Sequence, residues 1–239
     1  MKTSRQNLNP ILVFTVIFIL ILASTATIFA LQSSLSMVTQ LSGTISYFDA
    51  IKNKETKLVP FMKLYEGDKL TLDKGSSLQL VLFENGSKET WQGPAVLILD
   101  KKKGIIAQNS KNQPTISSLS EVVTNEVRRI SKIIDTSRMQ KAGVRIVRGQ
   151  SSSEKDKEML PPVELDSSEE KEVNIARSTY QSLLKGIDKT DITPELFLFS
   201  VLADYDQYIE MAQLIEIMKK KQPDNPTIGQ LTTWMEEQM

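Results

Sequence analysis

Six glycines, Gly43, Gly67, Gly75, Gly86, Gly93 and Gly104, divide residues 40–107 into apolar runs too short to make helices. Each suits a turn that a Cβ would obstruct. Between them, Leu78-Gln79-Leu80-Val81-Leu82-Phe83 and Ala95-Val96-Leu97-Ile98-Leu99 are rich in apolar and branched residues and read as strands. Glu84-Asn85-Gly86-Ser87 follows the first run. Asn-Gly is a strong hairpin signal, because a primed turn needs φ > 0 at both central positions. The segment is therefore expected to hold about six short strands. Gly67-Asp68 suits a turn in which the Asp carboxylate accepts a backbone N–H two residues on, and Gly75-Ser76 repeats the idea. Trp91, just past the hairpin, suits a core position with its N–H satisfied; exposed, it would serve as a glycan platform.

These residues carry a resemblance. Leu64-x-x-Gly67-Asp68-x-Leu70, then Gly75-Ser76-x-x-Leu80-x-Leu82-Phe83-x-Asn85-Gly86-Ser87, then Gly93-Pro94-Ala95-x-Leu97 resembles the FecR-type domain. Glu84-Asn85 stands where that family has Asp before Gly-Ser. The resemblance covers residues 40–107 and implies a small all-β, solenoid-like domain of the bacterial envelope, used for binding or sensing.

Upstream, Ile11 to Leu31 is a run of 21 residues without a charge, including Phe14, Phe18, Leu22 and Phe29. As a helix it would span the hydrocarbon core of a bilayer, about 30 Å. Lys2 and Arg5 precede it, and no charge follows until Asp49. The positive-inside rule then gives a cytoplasmic N-terminus (1–9), a transmembrane helix (10–32) and a periplasmic remainder, a single-pass protein of the inner membrane. A signal peptide cleaved near Ser24-Thr25-Ala26 is the competing reading, and the apolar run continues past that site. Both readings export the rest of the chain.

Residues 118–148 are expected to form a basic helix and a short strand. Val122, Val123, Val127, Ile130, Ile133 and Ile134 line one helical face, and Arg128, Arg129 and Lys132 the other. That basic face is either solvated or a contact for an acidic partner. Residues 150–172 carry three basic and eight acidic side chains, a net −5, and read as a disordered linker. Residues 173–239 show four short helical patterns. Thr193-Pro194-Glu195 suits an N-cap with Pro at N1. Residues 193–225 resemble a tetratricopeptide unit, a helix–turn–helix ending in Pro-Asp-Asn. Two hairpins are fewer than about three repeats, the usual minimum for such arrays, so self-association through 173–239 is expected.

The expected fold is thus multi-module: transmembrane helix, small all-β domain with a following helix, disordered linker and helical-hairpin bundle. The chain has no His, no Cys and equal counts (29 each) of basic and acidic side chains. Imidazole bases, thiolates and the usual zinc sites are excluded. Zero net charge argues against coating nucleic acid. Paired acids (Asp49 with Glu55, Glu84 with Glu89) fall in no catalytic motif. No catalytic residue, cofactor or metal is therefore expected. The expected function is a non-enzymatic envelope protein that binds a protein partner or cell-wall glycan outside the cytoplasm. The alternatives are a transmembrane regulator, because the resemblance extends to anti-sigma FecR proteins, and an enzyme acting on cell-wall glycan.

Overall fold

The computed structural model describes residues 33–108, 112–141 and 164–239. Residues 34–239 form one compact unit. Its elements are β1 (Ser36–Ser42), β2 (Ile45–Asp49), β3 (Lys54–Thr56), β4 (Lys63–Leu64), β5 (Lys69–Leu72), β6 (Ser77–Leu82), β7 (Ser87–Gln92), β8 (Ala95–Asp100), β9 (Gly104–Gln108) and β10 (Thr115–Ser118). Helices α1 (Glu121–Lys141), α2 (Ser167–Leu183), α3 (Thr193–Asp204), α4 (Tyr208–Lys221) and α5 (Ile228–Gln238) follow.

The strands make two five-stranded antiparallel sheets, β10-β7-β6-β1-β4 and β3-β2-β5-β8-β9. They pack face to face. Val38, Leu78, Leu80 and Trp91 of the first sheet meet Tyr47, Leu70, Leu72, Leu97 and Leu99 of the second. Strand β8 alternates buried and half-buried positions, as a strand with one covered face should. Strand β6 does not alternate, and this has a cause. Leu78 and Leu80 point into the sandwich, while Val81 and Phe83 join Met37 and Phe61 in a second core shared with all five helices. The first sheet is thus the middle layer, and a strand covered on both faces needs apolar residues at consecutive positions.

Helix α3 has the same explanation. Ten consecutive residues from Asp191 to Ser200 are buried. Such a helix is apolar all round because neighbours cover it on every side. Polar bridges tie the layers. Gln40 Nε2 donates to Thr190 Oγ1 at 2.8 Å, and Thr227 Oγ1 donates to the Pro60 carbonyl at 3.1 Å. Lys63 pairs with Asp135 at 2.6 Å, and Lys88 pairs with Asp191. Phe61 reaches the second core from a loop residue at φ +64°, a conformation a non-glycine residue adopts at a cost of about 1–3 kcal/mol.

Four expectations are corrected. The expected N-terminal transmembrane helix is not supported. No helix among the described residues is long and apolar enough to cross a membrane. The most apolar, α3, has 12 residues, about 18 Å of helix. The anchor residues Ile11, Phe14, Phe18, Leu22, Phe29 and Leu31 lie outside the described residues, as does the short strand expected at 144–148. Second, the β region is two packed sheets and not a solenoid, because its strands pair across the chain (β1 with β6, β5 with β8). Third, the C-terminal helices are not a separate bundle, since their apolar faces are buried against the first sheet and α1. Fourth, the end of the expected linker is helical. Asp166 caps α2, accepting the backbone N–H groups of Ser168 and Glu169, while Glu169 reaches back to the Asp166 N–H. This is a complete capping box.

Candidate functional site

The connection between β6 and β7 packs against the start of α1. Of its two central residues only Gly86 has positive φ, +64°. Asn85 is not in the left-handed region, so the turn is not the primed type expected. Instead Asn85 Oδ1 accepts the Ser87 N–H at 3.0 Å, a local side-chain turn. The Gly86 carbonyl accepts the Leu119 N–H at 2.7 Å, which brings the start of α1 against the turn. A Cβ on Gly86 would lie 2.7 Å from the Leu119 carbonyl oxygen and 3.0 Å from Thr124 Oγ1. Glycine is therefore required here by approach as well as by φ.

Two clefts flank this turn. The first, about 300 Å³, lies between the turn and α1 and is lined by Phe83 to Gly86, Leu119, Glu121, Thr124, Asn125 and Arg128. The second, about 350 Å³, opens at the mouth of the sandwich, where Glu84, Asn85 and Glu89 face Asp100, Lys102 and Lys103 of the β8–β9 turn. In the first cleft Arg128 is pinned on its apolar side. Its Nη2 donates to the Phe83 carbonyl at 2.8 Å, and its guanidinium carbon sits 4.8 Å from the Phe83 ring centroid. Its Nε is buried without an acceptor. No ion pair to a carboxylate forms on Arg128 among the described residues. Arg129, the next residue, is different: it pairs with Glu126 and Asp204, and the Asp204 hydrogen bond holds its pKa above the ordinary value.

The structure brings Asn85, Gly86 and Arg128 together and separates them from the other motif residues. Gly75, Ser76 and Gly93 sit at the opposite end of β6. There the Gly93 N–H donates to the Ser76 carbonyl at 2.9 Å, and a Cβ on Gly93 would lie 1.9 Å from the Asp73 carbonyl oxygen. Asp68 is fully buried, with Gly67 beside it donating its N–H to the Leu99 carbonyl at 2.9 Å. Asp68 accepts from the Tyr47 hydroxyl (2.9 Å) and the Tyr65 N–H (2.8 Å) on Oδ2, and from the Ala50 N–H (2.9 Å) on Oδ1. Burial pushes its pKa up despite these donors. It is a fastener of the β2 and β4–β5 loops, and it reaches further along the chain than the expected two-residue turn. Trp91 is 4 % exposed, lies in the inter-sheet core and donates its N–H to Glu89 Oε2 at 2.9 Å. It is therefore no exposed glycan platform. Lys132 is held by interactions of its own.

Two acids that the sequence offered only as one of a pair and as a first-turn residue, Glu89 and Glu195, take fixed places in the fold. Glu89 shares a strand face with Ser87 and Trp91, which the two-residue period of β7 would have placed together. Glu195 is fully buried on α3, where Oε1 accepts from Lys221 Nζ at 2.8 Å and from the Tyr180 hydroxyl at 3.2 Å. Burial and the Glu195 charge push Tyr180 up to about 12. No group of acidic side chains among the described residues has the arrangement of a metal centre.

No family model matches this chain, and neither a curated protein nor a solved structure matches it.

Proposed function

We propose that this chain is a non-enzymatic binding module of the bacterial envelope, and that it engages its partner with the end of the molecule built around the β6–β7 turn. The observation that carries this reading is Arg128, a guanidinium lining a cleft, pinned to Phe83 and left without a carboxylate. Cations elsewhere in the fold, on Lys63, Lys88, Arg129, Arg177 and Lys221, have carboxylate partners. The buried carboxylates are likewise occupied: Asp68 by three donors, Glu89 by Trp91, Asp191 by Lys88 and Glu195 by Lys221. Side chains so committed to the fold are poor general acids or bases, since a proton-transfer group needs reach to its substrate.

The test is a photo-reactive side chain placed at Asn85 of the full chain in its native cells, with Lys74, at the opposite end of β6, as control. A discrete adduct from position 85 that Arg128→Gln suppresses is expected, with none from 74. The same products from both positions, or none from 85, would overturn the reading.

A further inference from the structure

The cleft between the β6–β7 turn and α1 holds opposite charges that do not neutralise each other. Arg128 lines it, and so do Glu84 and Glu121. Yet none of the ion pairs among the described residues joins Arg128 to either acid, although Lys63, Arg129 and Arg177 all find partners at 2.6–2.7 Å. The cause is visible in the packing. Phe83 holds the guanidinium from two directions, through its carbonyl at 2.8 Å and its ring at 4.8 Å. Glu84 is the next residue in the turn, and Glu121 opens α1; both are exposed. A guanidinium carries five N–H donors, and the Phe83 carbonyl takes one. Asn85 spends its Oδ1 on the Ser87 N–H, and its carboxamide lines the cleft together with that of Asn125.

A cleft lined by one pinned positive group and two exposed negative groups is complementary to a ligand that carries both charges. A pure anion would meet Glu84 and Glu121, and a pure cation would meet Arg128. The volume, about 300 Å³, lies at the small end of ligand sites. Resting on the binding-module reading above, we propose that this cleft binds a small zwitterion, a free amino acid or a short peptide with both ends unblocked. Its carboxylate takes the Arg128 fork, its ammonium group takes Glu84 or Glu121, and the Asn85 and Asn125 amides meet its backbone. Planar bidentate contact makes arginine better suited than lysine to the carboxylate.

The experiment is a two-dimensional NMR titration of the full chain with L-alanyl-L-alanine. Glycine, N-acetyl-L-alanyl-L-alanine and L-alanyl-L-alanine amide are the comparisons. Saturable shifts are expected for the side-chain amides of Asn85 and Asn125 and the backbone signals of Gly86 and Thr124. Blocking either end should weaken binding by about tenfold or more, the equivalent of roughly 1.4 kcal/mol for a lost charge contact. Arg128→Lys should weaken the dipeptide similarly. Glycine binding as well as the dipeptide would identify a free amino acid as the ligand, and weaker glycine binding a peptide. Capped and uncapped peptides binding alike would overturn the proposal, and this comparison needs no variant to fold. Saturable shifts confined to another surface would also overturn it, while leaving the binding-module reading to be decided by cross-linking at position 85.

Discussion

Replacing Gly86 with valine should break the seam between the middle sheet and α1. Gly86 sits at φ +64°, where an L-residue costs about 1–2 kcal/mol and a branched one more. The added Cβ would stand 2.7 Å from the Leu119 carbonyl oxygen, so the start of α1 must retreat. That retreat stretches the 2.7 Å hydrogen bond from the Leu119 N–H to the Gly86 carbonyl, worth about 1 kcal/mol. The sum is a loss of about 3 kcal/mol. Urea unfolding of the full chain, followed by tryptophan fluorescence, measures it. Gly75→Ala is the control, since Gly75 also has positive φ, +83°, but nothing lies within 4 Å of its added Cβ. It should cost about 1 kcal/mol, from φ alone. If Gly86→Val costs no more than Gly75→Ala, the close approach of turn and helix is wrong, and with it the cleft.

Asp68→Ala strips three donors of their acceptor and should cost about 3 kcal/mol in urea unfolding. Because burial raises the Asp68 pKa, its favourable contribution is complete below the unfolded-state pKa and declines as pH rises through the folded-state value. The gap between wild type and variant should therefore be wider near about pH 4 than near about pH 7. Lys88→Ala leaves Asp191, 1 % exposed, as an uncompensated charge, at a cost of about 3–5 kcal/mol. The double variant Lys88→Met/Asp191→Leu should recover most of that loss in the same assay. A chain ending at residue 141 would uncover Met37, Val81 and Phe83 on the middle sheet; it should bind a hydrophobic dye and show no sharp thermal transition.

Local chemistry made part of this fold legible. The β6 and β8 runs and the place of the Gly86 turn are short-range signals, and each stands where the sequence pattern put it. The helix start is one residue off, since Ile192 is the N-cap, Pro194 is the second helical residue and the Thr193 hydroxyl makes no capping bond. The three-layer arrangement was also encoded, in a less direct form. Consecutive apolar residues in Leu80–Phe83 and Leu196–Phe199 mean burial on every side, which alternation or a single helical stripe would not require. Asp166-Ser-Ser-Glu169 carried the capping-box spacing in a stretch whose charge alone suggested a linker. The candidate site was legible only in pieces. Arg128 and Arg129 are neighbours of the same type on one helix. Their different roles depend on Phe83 and Asp204, 45 and 75 residues away. No local spacing reports such partners, nor the pairing of Lys88 with Asp191 across 103 residues.

The candidate site exists only if sandwich and helices are locked into one unit, because its walls come from both. The chain has two tryptophans, and they divide the question evenly. Trp91 lies between the sheets, and Trp234 packs against the helical core, 6.1 Å from the Phe199 ring. Urea unfolding of Trp234→Phe reports the sandwich, and that of Trp91→Phe the helical layer. Far-ultraviolet circular dichroism of each variant gives the whole chain. Coincidence of fluorescence and dichroism within each variant is predicted, the signature of a single cooperative transition. A helical layer that melts at lower urea while Trp91 still reports a folded sandwich would contradict the account.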